Sequence, residues 1–236
     1  MSNLEEIVKN SHITFATPCY GGNITEPCFI SYMKFANLAH QLGLRFSIDT
    51  VMNESIITRA RNNLVAKFLA KPDSTHLVFI DADIGWEPDA ILKLLSKDAD
   101  VVCGAYPLKG LPIVYALNRL PNGRIIDSMM EVLTAATGFM MIKRHVIEKL
   151  IQCFPEKKYK DACNLGAEVE KNMYALFDTM IDDNGNYLTE DWTFCKHVIE
   201  KLNIPIWIDT DVNLNHTGTY VFKGSQDELK KFIIND

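Results

Sequence analysis

The stretch HLVFIDADIGWEPDA, residues 76–90, decides how the rest of the chain is read. Four consecutive apolar residues, Leu77 to Ile80, run directly into Asp81 and Asp83, with Ala82 alone between them. A short apolar run bounded by turn signals predicts a buried strand of an α/β sheet, and Pro88 suits the first turn of a following helix. Two carboxylates therefore stand where a core strand surfaces. Their repulsion costs free energy unless a third group neutralises it. A pair of this kind supplies the hard oxygens that hold Mg2+ or Mn2+ together with the oxygens of a diphosphate. Acidic residues also occur at such turns as caps or solvated loop ends, so the Asp-Ala-Asp segment alone leaves both readings open, and its place after an apolar strand favours the first.

Upstream, HITFATPCYGG predicts a first strand over His12–Ala16, ending in a loop with Pro18 and two glycines. PCFISYMKFANLAHQLG carries apolar residues at helical spacing and stops at Gly43, LRFSIDTV alternates as a strand does, and ESIITRARNNLVAKFLAKP is helical as far as Lys71 and Pro72. Downstream come the helix PDAILKLLSK and the strand ADVVCGAYP. This β-α-β-α-β-α-β order predicts an α/β fold with a mostly parallel, Rossmann-like sheet covered by helices on both faces.

Beyond residue 111 the pattern is less regular. IVYALNRLPNGRIID predicts a hairpin around Pro121-Asn122-Gly123, and EVLTAATGFMMIKRHVIEKL a strand leading into a helix. YKDACNLGAEVEKNMYALFDTMIDDNGNYL predicts loops with at most a short helix, and Asp182 and Asp183 read as loop residues. TEDWTFCKHVIEKLN is a helix with Trp192, Cys195, Val198 and Ile199 on one face and Thr189 as its cap; a last strand or two and a terminal helix capped by Ser225 follow. With no internal repeat or low-complexity linker, the expectation is one domain over residues 1–236: a nucleotide-binding half to about residue 110 and an acceptor-binding half from about 111.

The chain has 236 residues, 47% of them hydrophobic, enough for a substantial core. Its formal charge of −6 gives no general attraction to nucleic-acid phosphate or anionic lipid, so nucleic acid is not an expected partner. No apolar stretch reaches the length of a membrane span, and MSNLEEIVKNSHITF has acidic residues where a signal peptide carries a basic start, so the expected location is cytoplasmic. Six scattered cysteines without a CxxC pair predict free thiols, with Cys103 as a core filler.

Several motifs, in order, resemble the GT-A nucleotide-sugar glycosyltransferases, particularly the small family-2-like enzymes of large viruses, phages and bacteria. They are ITFATPCYGG, NESIITRARNNLVAKFLAKPDSTHLVFIDADIGWEPDAI, AATGFMMIKR, YLTEDWTFCKHV and NLNHTG, which together cover most of the chain. The resemblance implies a nucleoside diphosphate sugar as donor, UDP-linked by preference, and a glycan or other hydroxyl acceptor. Within the Asp81-Ala82-Asp83 turn, Asp81 is implied to lie near ribose and metal and Asp83 to coordinate the metal. His216 resembles the family's late metal ligand, and Gly218 lets backbone approach phosphate; the competing reading of His216 is a loop histidine held by backbone hydrogen bonds. Two Asp plus one His favours Mn2+, with Mg2+ as the alternative.

The same resemblance assigns Thr17, Pro18 and Tyr20 to the loop that cradles base and ribose. Arg59 and Arg61 lie two apart on one helix and so on different faces; the resemblance selects Arg61, with Asn62 beside it, for the diphosphate. Lys223 is a candidate phosphate contact or a surface lysine. Gly138, in TGFMM, is implied to let a sugar ring approach backbone, with Phe139 as a stacking face or a core residue, and Trp86 as a sugar contact or a cover for the helix start. Glu190 and Asp191 suit a helix N-terminus electrostatically. The family adds a general base there, Asp191 before Glu190, and with it inversion. Two other readings stand beside this one: a haloacid-dehalogenase-type phosphatase or phosphotransferase, whose Asp-x-Asp normally ends the first strand, and a non-catalytic sugar-nucleotide-binding module.

Overall fold

A computed structural model of the chain describes residues 3–218 and 221–234. Helix α1 (Asn3–Asn10) leads into β1 (His12–Cys19), α2 (Glu26–Leu42), β2 (Arg45–Met52), α3 (Ile57–Leu69), β3 (His76–Ile80), β4 (Ile84–Trp86), α4 (Asp89–Ser96) and β5 (Val101–Gly104). The second half adds β6 (Leu117–Arg119), β7 (Ile125–Ile126), β8 (Met129–Ala135), β9 (Phe139–Lys143), α5 (Arg144–Cys153), α6 (Ala167–Glu170), β10 (Met180–Ile181) and β11 (Tyr187–Leu188). It closes with α7 (Glu190–Leu202), β12 (Ile206–Asp209), β13 (Leu214–Thr217), β14 (Val221–Lys223) and α8 (Gln226–Ile234).

The unbroken apolar run of β3 has a direct physical cause: the strand is buried on both faces. Successive side chains of a strand point to opposite sides. Leu77 and Phe79 accordingly pack with Leu64 and Phe68 of α3, Val146 of α5 and Phe194 of α7, whereas Val78 and Ile80 pack with Phe35 of α2 and Ile91 of α4. This is the α/β, Rossmann-like layering that the element order predicts. Strands from both halves of the chain join one sheet, in the order β2-β1-β3-β9-β5-β12-β8-β6, with β7 also paired to β8. A smaller sheet, β14-β13-β4, stands beyond the end of β3.

Three details differ from the sequence expectation. Strand β9 inserts antiparallel between β3 and β5, and AATGF breaks what reads as one strand into β8 and β9. The turn at Pro121–Gly123 forms, with the Gly123 amide donating to Leu120 O at 2.9 Å, but β6 and β7 do not pair with each other; both pair with β8. A turn signal marks where the chain bends, not which strand it meets. On α7 the buried face is centred on Phe194, Cys195 and Val198, and Trp192 turns outward.

The caps agree more closely. α2 ends at Gly43 in the left-handed region, and Ser225 caps α8: its Oγ accepts the Glu228 amide at 3.2 Å and donates to Glu228 Oε2 at 2.9 Å. All six cysteines are free. No helix among the described residues is long and apolar enough to cross a membrane.

Two histidines make stability depend on pH. Burial first, and the nearby Lys143 for His76 and Lys157 for His197, hold both at about 4. Each is neutral in the fold, so the unfolded chain, titrating near 6.5, takes up protons first. Stability is therefore whole above about pH 6.5 and is lost as pH falls toward 4, by up to about 3 kcal/mol per histidine. The melting temperature of the wild type is expected to drop across that window, and the His76→Gln/His197→Gln double variant to give a flatter curve; an equally steep curve would place the acid sensitivity elsewhere.

Candidate functional site

The Asp81–Asp83 turn is pinned from several directions. The Asp81 amide donates to Gly138 O at 3.0 Å, at the start of β9. The backbone and hydroxyl of Thr25, just before α2, both donate to Ala82 O, at 2.8 and 3.0 Å. The Thr217 amide donates to Asp83 O at 2.8 Å, which ties in β13. Antiparallel register then sets His216 opposite Ile84. Residues more than a hundred positions apart thus share one sheet edge.

Asp83 is the meeting point of two cationic or basic groups. Lys109 Nζ donates to its Oδ2, and His216 Nε2 lies 3.4 Å from the same oxygen. Burial alone would raise the Asp83 carboxyl, but His216 and Lys109 outweigh it and hold it below the usual range. His216 Nδ1 stands 2.8 Å from Pro107 O, and because a carbonyl only accepts, Nδ1 carries the hydrogen. That bond turns Nε2, the other ring nitrogen, toward Asp83 Oδ2. His216 stands in β13 rather than in a loop, and a backbone bond holds one of its nitrogens as the competing reading expects.

Asp81 faces a different way. Both its oxygens accept from Arg61 Nη2, at 3.0 and 3.3 Å, while Arg61 Nε donates to Glu190 Oε1 at 3.2 Å. Arg61 is buried; desolvation alone would lower its pKa, but Asp81 and Glu190 raise it. It links the end of β3 to the start of α7. Arg59, on the other side of α3, pairs with Glu54. Among the described residues no cation is bonded to Asp191: its Oδ1 accepts from the Thr189 hydroxyl and, at 2.9 Å, from the Trp192 amide. Burial raises the Asp191 carboxyl, opposed by Thr189 and reinforced by Glu190.

A cavity of 580 Å³ opens beside these groups, lined by Pro18, Tyr20, Arg61, Asp81, Ala82 and Asp83, with Val51 and Ile57 as an apolar wall. Tyr20 is 75% exposed at its rim, a ring available for stacking on a base. Other candidates are engaged elsewhere. Thr17 is fully buried and its hydroxyl bonds Tyr32 at 2.6 Å. Asn62 is strapped to the backbone of Phe177, donating to its O at 2.8 Å and accepting its amide at 2.9 Å. Gly218 is exposed just after β13. Lys223 pairs in register with Asn215, one residue from His216, and so projects from the opposite face of the small sheet. Phe139 and Trp86 are core residues, their rings 5.8 Å apart.

Gly138 owes its identity to Tyr106. A Cβ there would lie 2.6 Å from the Tyr106 ring and hydroxyl, and Tyr106 is buried. Gly138→Ala is therefore expected to cost about 2 kcal/mol by overpacking, read as a lower melting temperature, and to disturb the carbonyl that holds Asp81. A variant as stable as wild type would show that Tyr106 gives way.

Lys109 and Tyr106 were not legible as site residues, although YPLKGLP, a Pro- and Gly-containing loop leaving a buried strand, carries the signal of a functional loop. As a donor set, Asp83 and His216 offer one carboxylate oxygen and one imidazole nitrogen with a fixed second bond, chemistry suited to Mn2+. With Asp81 held by Arg61, no group of three or more His, Cys, Asp or Glu side chains among the described residues is clustered closely enough to hold a metal unaided. A metal held by Asp83 and His216 would need further ligands to complete its shell.

No protein-family model matches the sequence, and no curated protein matches it. Among solved structures the chain is similar to A197 from STIV, with 18% identity and a TM-score of 0.50 over 88% of this chain and 86% of that one. It is more distantly similar to UDP-glucose pyrophosphorylase complexed with UDP-glucose, with 9% identity and a TM-score of 0.41 over 87% and 75%. A further similarity is to 4-diphosphocytidyl-2C-methyl-D-erythritol synthase from Anaerococcus prevotii DSM 20548, with 11% identity and a TM-score of 0.38 over 66% and 81%. The first establishes a shared fold and nothing finer.

Proposed function

We propose that this protein is a metal-dependent GT-A glycosyltransferase that moves a hexose from a nucleoside diphosphate sugar, UDP-linked by preference, to a hydroxyl acceptor with inversion. The observation that carries the reading is the arrangement at the edge of the cavity: Asp83 Oδ2 and His216 Nε2 lie 3.4 Å apart, and Arg61, which lines the cavity with Asp81 and Asp83, ties the Asp81 turn to the acidic start of α7. Asp83 and His216 would hold Mn2+, or Mg2+, with Asp81 beside them. A divalent ion, when bound, supplies Lewis-acid stabilisation of the leaving diphosphate.

The chain's own residues do the rest. Tyr20 and Pro18 bracket the base and ribose in the 580 Å³ cavity. Among the described residues both hydrogen bonds to Asp191 fall on Oδ1, which leaves Oδ2 to take the proton of the acceptor hydroxyl. The acceptor oxygen forms a bond to the anomeric carbon on the face opposite the diphosphate, and the C–O bond breaks with its electron pair on the β-phosphate. A second groove of 790 Å³, lined by Trp192, Tyr187, Leu133 and Asn118 along the outward face of α7, suits the acceptor. Glu190 is engaged by Arg61 Nε, which leaves Asp191 as the freer carboxylate.

The test is a thermal-shift screen of nucleoside diphosphates and their sugars with and without Mn2+. Saturating UDP or a UDP-sugar is expected to raise the melting temperature by several degrees only with the metal present, since a ligand at 100 times Kd adds about 2.7 kcal/mol. No shift with any nucleotide, with Mn2+ or Mg2+, would sink the proposal. Rapid turnover of p-nitrophenyl phosphate, lost in Asp81→Asn, would establish a phosphatase instead.

A further inference from the structure

The loop between β5 and β6 touches both proposed metal ligands. It turns back on itself, with Leu108 donating to Val114 O at 2.7 Å and Pro107 bridged to Tyr115. At its base Pro107 O holds His216; near its tip Lys109 lands on Asp83. Lys109 Nζ and His216 Nε2 converge on the same Oδ2. The ammonium therefore stands beside the point where an ion shared by Asp83 and His216 has to sit, and two cations do not share it.

We propose that Lys109 is an exchangeable counter-ion: it neutralises Asp83 while the metal is away and, displaced by the metal, transfers to the donor diphosphate. The inference rests on the metal-dependent reading above. A diphosphate oxygen bound to an ion on Asp83 lies about 4 Å from the carboxylate, two metal–oxygen bonds away, within the reach Lys109 already has. Leu108, Leu111 and Val114 are all exposed on the loop, so its tip is not packed into the core. The pair it breaks is itself weakly held, with side chains 39% and 30% exposed. The other cations proposed for phosphate are less available, because Arg61 is buried between two carboxylates and Lys223 leaves from the other face of its sheet. An unpaired lysine at this mouth is the natural partner of a second diphosphate charge.

The test compares wild type with Lys109→Gln and Lys109→Met in two titrations: Mn2+ alone, and UDP at saturating Mn2+. Both variants are expected to bind Mn2+ about 2- to 5-fold more tightly, because the competitor is gone. They are expected to bind UDP about 5- to 10-fold more weakly, with a loss that shrinks at high salt. A residue that only supports the fold would weaken both or neither. Mn2+ affinity unchanged or reduced, or UDP affinity unchanged, overturns the proposal. Wild-type protein that binds neither Mn2+ nor UDP is a distinguishable result, since it refutes the metal-dependent reading and the role of Lys109 with it.

Discussion

Asp191→Asn is expected to lower sugar transfer by about 10²- to 10⁴-fold, the usual worth of a general base, while UDP binding in Mn2+ stays within about 2-fold of wild type. The substitution is nearly isosteric, and an amide oxygen at Oδ1 still accepts from Thr189 and from the Trp192 amide. Only the proton-accepting charge is removed. Burial raises the Asp191 carboxyl, which makes it a stronger base. The reaction needs it ionised, so the wild-type rate is expected to fall as pH drops through that raised value, and the residual rate of the variant to lose this acid limb. Unchanged transfer would remove Asp191 from the mechanism, and a lower melting temperature at an unchanged rate would leave it a structural helix-start residue.

Arg61→Met should destabilise the protein by about 3 kcal/mol, because removing one partner of a largely buried ion pair leaves uncompensated charge behind. Two carboxylates lose their cation at once, Asp81 and Glu190, with side chains 28% and 13% exposed. For a domain of this size the melting temperature is expected to fall by roughly 6–12 °C. The aliphatic stem of Met keeps contact with Phe79, over which the guanidinium now lies at 5.3 Å, so lost packing is not the main cause. Adding Glu190→Gln to Arg61→Met should recover part of the loss, and the double-mutant cycle reads the coupling directly. Additive effects would show that Arg61 and Glu190 act independently despite their 3.2 Å contact. The pairing also bears on function. Occupied by Asp81 and Glu190, Arg61 joins the Asp81–Asp83 turn to the start of α7, which leaves it less available to the diphosphate of the proposed reaction.

Local physics made much of this legible in the chain. The run Leu77–Ile80 is apolar without interruption because both faces of β3 are covered, and that pattern needs no partner to be recognised. Gly43 ends α2 and Ser225 starts α8 through short-range backbone chemistry. The acidic pair at the end of β3 was visible for the same reason, since charge against an apolar strand is a local contrast.

Which groups meet that pair was settled only by the tertiary structure. Nothing in AATGF announces that β9 will insert beside β3 and bring Gly138 O to the Asp81 amide. Likewise the side chains of Thr17 and Asn62 sit in motifs that resemble a nucleotide site, yet neighbours from α2 and the Phe177 segment claim them. Lys109 and His216 reach Asp83 from positions 26 and 133 residues away by difference of number. Periodicity and capping depend on residues a few positions apart and are written along the chain, whereas hydrogen-bond partners and ion pairs depend on which strands become neighbours, a choice made by burying the sheet as a whole.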